Sequence, residues 1–127
     1  MSSSEETLTL PAATGTLSVT TQEHGAVLVV GIRDGRLEAR NAFACKSFLR
    51  ERIAAGATRV VVDLAAVTFI DSSGLGALVA AMKALQPSGT FALAAPGPAV
   101  KAMLELTRTA SVFTIFDTAE AAVRSLA

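Results

Sequence analysis

The chain has 127 residues, 51% of them hydrophobic, which is ample for one core and leaves little room for a second domain. Its 11 basic and 11 acidic residues cancel, which argues against a protein whose main task is to grip nucleic acid or an anionic membrane. With six Phe and neither Trp nor Tyr, there is little material for base-stacking or sugar-binding shelves.

The single cysteine, Cys45, excludes an internal disulfide and predicts a cytoplasmic protein. No apolar run reaches the length of a membrane span, and no basic-then-apolar leader is read at the start. Residues 1–14 are rich in Ser, Thr and Glu without sustained periodicity and predict a flexible tail, with one folded domain over 15–127.

Leu17 and Val19 alternate with polar neighbours, as in a half-exposed strand. His24-Gly25 supplies a turn, and a more apolar strand over 26–32 pairs back as a hairpin. Arg33-Asp34-Gly35-Arg36 breaks the pattern as a charged loop. A helix over about 40–55 follows, with Ala42, Cys45, Leu49 and Ile53 inward and Gly56 as its stop.

Val60-Val61-Val62 is short, β-branched and apolar, the pattern of a fully buried strand. The next helix begins near Ser73 and runs to Leu85, with Leu75, Leu78, Val79, Met82 and Leu85 at helical spacing. Pro87-Ser88-Gly89 ends it.

A short strand over 90–94 precedes a third helix that opens at Pro98 and buries Val100, Met103 and Leu104. A last strand over 112–116 leads to a final helix capped at Asp117-Thr118, with Ala122, Val123 and Leu126 inward. The order predicts an α/β domain: a mixed, mostly parallel sheet of about five strands with about four helices.

The most chemically loaded point is the start of the second helix. Its first N–H groups lack partners and carry partial positive charge, so a phosphoryl group placed there gains hydrogen bonds and a favourable dipole. Gly74 and Gly76 keep the approach uncrowded. The same Asp and Ser residues also serve as ordinary helix caps, and from chemistry alone the two roles stand level.

Asp71-Ser72-Ser73-Gly74-Leu75-Gly76, preceded by Val62-Asp63-Leu64 and Val67-Thr68-Phe69-Ile70, resembles the signature of the STAS domain, in its bacterial anti-sigma factor antagonist branch. The resemblance runs from about Gly15 to the C-terminus. It implies helices packed mainly on one face of the sheet. It implies that Ser73 is the phosphoacceptor, with Ser72 as the fallback. Asp71, Ser72, Gly74, Leu75 and Gly76 are then expected to contact a partner.

Gly35-Arg36-Leu37-Glu38 matches a second family segment beside the phosphorylation loop, with Glu38 where the family carries Asp. Gly35, Arg36 and Glu38 are therefore also expected to be partner-binding. Asn41 matches a small polar position of the family, with helix capping as its plain role. Leu106-Thr107-Arg108-Thr109-Ala110 departs from the family's Thr-Gly-Leu, so this corner must avoid positive φ or be stabilised otherwise.

The resemblance implies a non-enzymatic module with no cofactor and no metal, working as a monomer or weak dimer. Unphosphorylated, it would bind an anti-sigma factor that is also a serine kinase and so free a sigma factor. The kinase, with ATP and magnesium, would phosphorylate it, and a PP2C-type phosphatase would restore it. The alternative within the family is an adaptor subunit of a stress-sensing complex or of a lipid-transport ATPase.

Other chemistries find little support. His24 has no second His or Cys to complete a metal site, and Cys45 sits on an inner helix face. Asp71 stands where a hydrolase nucleophile motif around Ser73 needs Gly, and no P-loop is present.

Overall fold

The computed structural model describes residues 5–127. A six-stranded sheet runs in the order β1 (Glu6–Pro11), β2 (Thr16–His24), β3 (Val27–Ile32), β5 (Arg59–Asp63), β7 (Thr90–Ala94) and β8 (Thr114–Phe116). The first three strands pair antiparallel and the rest parallel, so the sheet is mixed as expected. A separate two-stranded parallel ladder joins β4 (Arg36–Leu37) to β6 (Phe69–Ile70). The helices are α1 (Ala39–Ala54), α2 (Ser72–Leu85), α3 (Pro98–Leu106) and α4 (Ala119–Leu126).

Side-chain alternation along the central strands explains the layers. Leu28, Val30, Val60, Val62, Phe91 and Leu93 face one way, into a core shared with Leu49 of α1, Leu78 of α2 and Leu104 of α3. Val27, Val29, Val61, Ala92 and Ala94 face the other way, onto α4 through Ala122. Strands buried on both sides read as unbroken apolar runs, which is why Val60-Val61-Val62 shows no alternation. Three helices on one face and one on the other is the arrangement that the family resemblance implies.

The N-terminal expectation needs correction. Glu6–Pro11 is an edge strand, paired with β2 from Glu6↔Thr21 to Pro11↔Thr16. It supplies the strand beyond the expected five. The part of the expected tail in residues 1–4 lies outside the described residues. Thr7-Leu8-Thr9-Leu10 alternates for only four residues, too short a pattern to mark a strand without its partner. Leu8 and Leu10 become half-buried against the core once β1 is paired with β2. The turn over 12–15 is tied to α1, since Arg40 Nη1 donates to the Thr14 and Thr16 carbonyls at 3.3 Å.

The corner after α3 resolves the departure noted above. Arg108 adopts φ +59° without glycine. The turn is held by the Thr107 hydroxyl on the Met103 carbonyl at 2.7 Å and by the Thr109 N–H on the Leu104 carbonyl at 2.9 Å. A left-handed conformation costs a side-chain-bearing residue about 1–2 kcal/mol, part of which glycine gives back in unfolded-chain entropy. Arg108→Gly is therefore expected to stabilise the fold by about 0.5–1 kcal/mol. Urea unfolding checks this as a higher midpoint at unchanged slope.

Candidate functional site

The 33–38 loop and the 67–71 loop are clasped together before either helix begins. The Gly35 carbonyl accepts the Thr68 N–H at 2.7 Å, the Phe69 N–H at 3.1 Å and the Thr68 hydroxyl at 3.1 Å. The Leu37 carbonyl accepts the Asp71 N–H at 3.2 Å. Leu37 and Ile70 anchor this ladder in the core, so α1 and α2 start side by side.

Asp71 joins the two helix starts. Its Oδ1 accepts the Gly74 N–H of α2 at 2.9 Å, and its Oδ2 accepts the Ala39 N–H of α1 at 3.1 Å. One carboxylate thus satisfies orphan donors on two helices and lies at two positive dipole ends. Asp71, expected from the resemblance to contact a partner, thus also shapes the loop between the two helix starts.

On the α1 side, Asn41 is buried and fully used. Its Oδ1 accepts the Glu38 N–H at 2.9 Å, and its Nδ2 donates to the Arg36 carbonyl at 3.0 Å. Glu38 holds the N-cap position, and its carboxylate pairs with Arg36 at 3.0 Å and Arg40 at 3.7 Å. The extra methylene relative to Asp is spent reaching these guanidinium groups. Arg36 also lies over the Phe69 ring, 4.0 Å from its centroid.

Ser72 and Ser73 occupy the first two positions of α2, and both are exposed. Asp71, not a serine, is the cap, so neither hydroxyl is engaged in holding the helix start. Gly76 is exposed, and a Cβ added there would meet nothing within 4 Å. Gly74 and Leu75 differ from expectation. Both are buried and build the site from behind rather than facing out. Gly74 lies where α2 crosses β4, and a Cβ there would run into the Leu37 carbonyl and come within 2.9 Å of Ile70 Cγ1.

Sequence reasoning missed the groove beside Ser73. Ala39, Ala42, Phe43 and Lys46 of α1 face Ser73, Gly76, Ala77 and Ala80 of α2 across about 410 Å³. The small residues let the helices leave this channel. Phe43 stands 70% exposed at its edge. Its register was a usable signal: it lies off the Ala42, Cys45, Leu49 stripe, so a large apolar ring had to point away from the core. Phe69, 37% exposed, does not line this groove and instead carries the Arg36 guanidinium on its ring.

Cys45 and His24 stay outside the site. Burial pushes the Cys45 thiol up to about 12, so at neutral pH it is protonated and unreactive. His24 ends β2 at the hairpin turn. Among the described residues no three His, Cys, Asp or Glu side chains gather as a metal site, and no helix is long and apolar enough to cross a membrane.

The STAS domain family matches residues 18–122. The chain is similar to the anti-sigma-F factor antagonist RsfB of Mycobacterium tuberculosis, 30% identical over 107 residues that cover 84% of this chain and 87% of RsfB. Its fold resembles the crystal structure of an anti-sigma factor antagonist from Mycobacterium paratuberculosis, with TM-score 0.77 and 27% identity over 97% of this chain and 94% of that one. It also resembles the phosphorylated form of the Bacillus cell fate determinant SpoIIAA, with TM-score 0.68 and 20% identity over 86% of this chain and 99% of that one. At that identity the likeness is one of fold.

Proposed function

Since the chain belongs to the STAS domain family, we propose that it is an anti-sigma factor antagonist whose partner contact is switched by phosphorylation of Ser73. The observation that supports this reading best is the placement of Ser73. Its hydroxyl is exposed at the start of α2, free of capping duty, on the rim of a groove edged by an exposed Phe.

Unphosphorylated, the chain docks an anti-sigma factor that is itself a serine kinase, and the sigma factor is released. Gly76, Arg36 and Glu38 belong to the same docking face, and Phe43 is its apolar anchor. The kinase then transfers the γ-phosphoryl group of ATP to Ser73 Oγ, the hydroxyl proton leaves, and ADP departs. The phosphate adds about −1.5 to −2 charges where an uncharged hydroxyl stood. An apolar, closely fitted contact does not tolerate that charge, and the complex separates. A PP2C-type phosphatase resets the switch. In this cycle the chain is ligand and substrate, and the catalytic groups belong to its partners.

Incubation with the cognate kinase and magnesium-ATP, followed by mass spectrometry, is expected to place one phosphoryl group on Ser73. Ser73→Ala should abolish incorporation. Phosphate persisting in that variant with Ser72 intact would move the site to Ser72. Ser73→Asp should weaken kinase binding by about tenfold or more, the effect of roughly 1.4 kcal/mol at the contact. A stable stoichiometric complex with a transporter ATPase in place of any kinase would overturn the reading.

A further inference from the structure

We infer that Lys46 is the internal counter-charge of phosphorylated Ser73, so that modification draws its ammonium off the Phe43 ring and rearranges the docking groove from within. This rests on the reading of Ser73 as phosphoacceptor and adds what the modified groove does.

Lys46 and Ser73 line the same groove from opposite helices, and Lys46 is the only charged side chain among the lining residues. Its Nζ stands 5.1 Å from the Phe43 ring centroid. Among the described residues it forms no ion pair with a carboxylate. The other charges around the two helix starts are committed. Asp71 holds the Gly74 and Ala39 N–H groups, while Arg36 and Arg40 both pair with Glu38. A phosphate on Ser73 therefore meets one cation in the groove that is held only by an aromatic face.

An ammonium over an exposed ring is weakly held, whereas its contact with a phosphate oxygen is a charge-assisted hydrogen bond. The flexible four-carbon stem of lysine leaves the head free to exchange one for the other across the shared groove. Phe43 then loses its cationic cover when Ser73 is modified. Phosphorylation acts twice under this scheme: it adds negative charge, and it withdraws from the partner the one free positive charge that the groove offers.

The test uses the whole chain with phosphoserine installed genetically at position 73, so no kinase is needed. Phosphorus NMR follows the second ionisation of the phosphate, ordinarily near pH 6. With Lys46 present, that pKa is expected to lie about half a unit below its value in Lys46→Met at low salt, because a nearby cation favours the dianion. The gap should close toward about 1 M salt, where charges are screened within roughly 3 Å. Lys46→Arg should keep the lowered value, and Lys101→Met on α3 should leave it unchanged. Proton shifts of the Phe43 ring should move on phosphorylation in the wild type and not in Lys46→Met. Equal phosphate pKa values in wild type and Lys46→Met, or an equal change in Lys101→Met, would overturn the pairing. A kinase that ignored Ser73 would remove the proposed function while leaving this result intact, so the two failures are distinguishable.

Discussion

Gly74→Ala is expected to destabilise the fold by about 2 kcal/mol, although alanine is the better helix former. Inside a helix the exchange ordinarily stabilises by about 0.5–1 kcal/mol. Here the new methyl collides with the Leu37 carbonyl and presses on Ile70. The carbonyl is backbone and is itself held by the Asp71 N–H, so it cannot step aside without breaking the clasp between the two loops. Overpacking of this kind costs about 1–3 kcal/mol, and separating α2 from β4 adds the loss of hydrogen bonds at the site. Overpacking thus outweighs propensity.

Gly76→Ala is the matched control. It adds the same methyl two residues later into open space, and should stabilise the fold slightly. Chemical denaturation of the pair gives the sign directly. Equal midpoints for the two variants would show that the approach of α2 to β4 imposes no steric limit at Gly74.

Asp71→Ala is expected to cost about 2 kcal/mol, more than an ordinary surface acid. Loss of a single N-cap typically costs about 0.5–2 kcal/mol, and this carboxylate caps α2 while also holding the first N–H of α1. Asp71→Asn should cost about 1–2 kcal/mol, because an amide has one acceptor oxygen. It can keep one of the two N–H groups, and it turns a donor toward the other.

The specific readout is amide hydrogen exchange at Gly74 and Ala39. Both should exchange faster in Asp71→Ala, although the residues lie on different helices. A residue that served only as a partner contact would leave both amides and the unfolding midpoint untouched. Under the proposed function, loosening the start of α2, which carries Ser73, should also blunt phosphorylation and docking without altering either serine.

The core strands and four helices were legible because each rests on local signals. Thr118 caps α4 through the Ala121 N–H at 3.0 Å, Pro98 stands in the first turn of α3, and Gly56 follows α1 at φ +117°. Such signals act within a few residues of chain, where spacing alone carries the information. Edge strand β1 was not legible for the same reason, since its order comes from β2 across the 12–15 turn.

The chemistry of the site divides along that line. Sequence alone placed the two hydroxyls and the acid at a helix start, and family likeness singled out Ser73. What the tertiary structure decided was which groups remain free to act. Asp71 is held by an N–H group 32 residues away in the chain, Gly74 is closed off by the Leu37 carbonyl, and Ser73 is left open beside Phe43 and Lys46. Periodicity records which side of an element is apolar. It carries nothing about the element that will lie across from it, and exposure, capping across helices and the width of a groove depend on both.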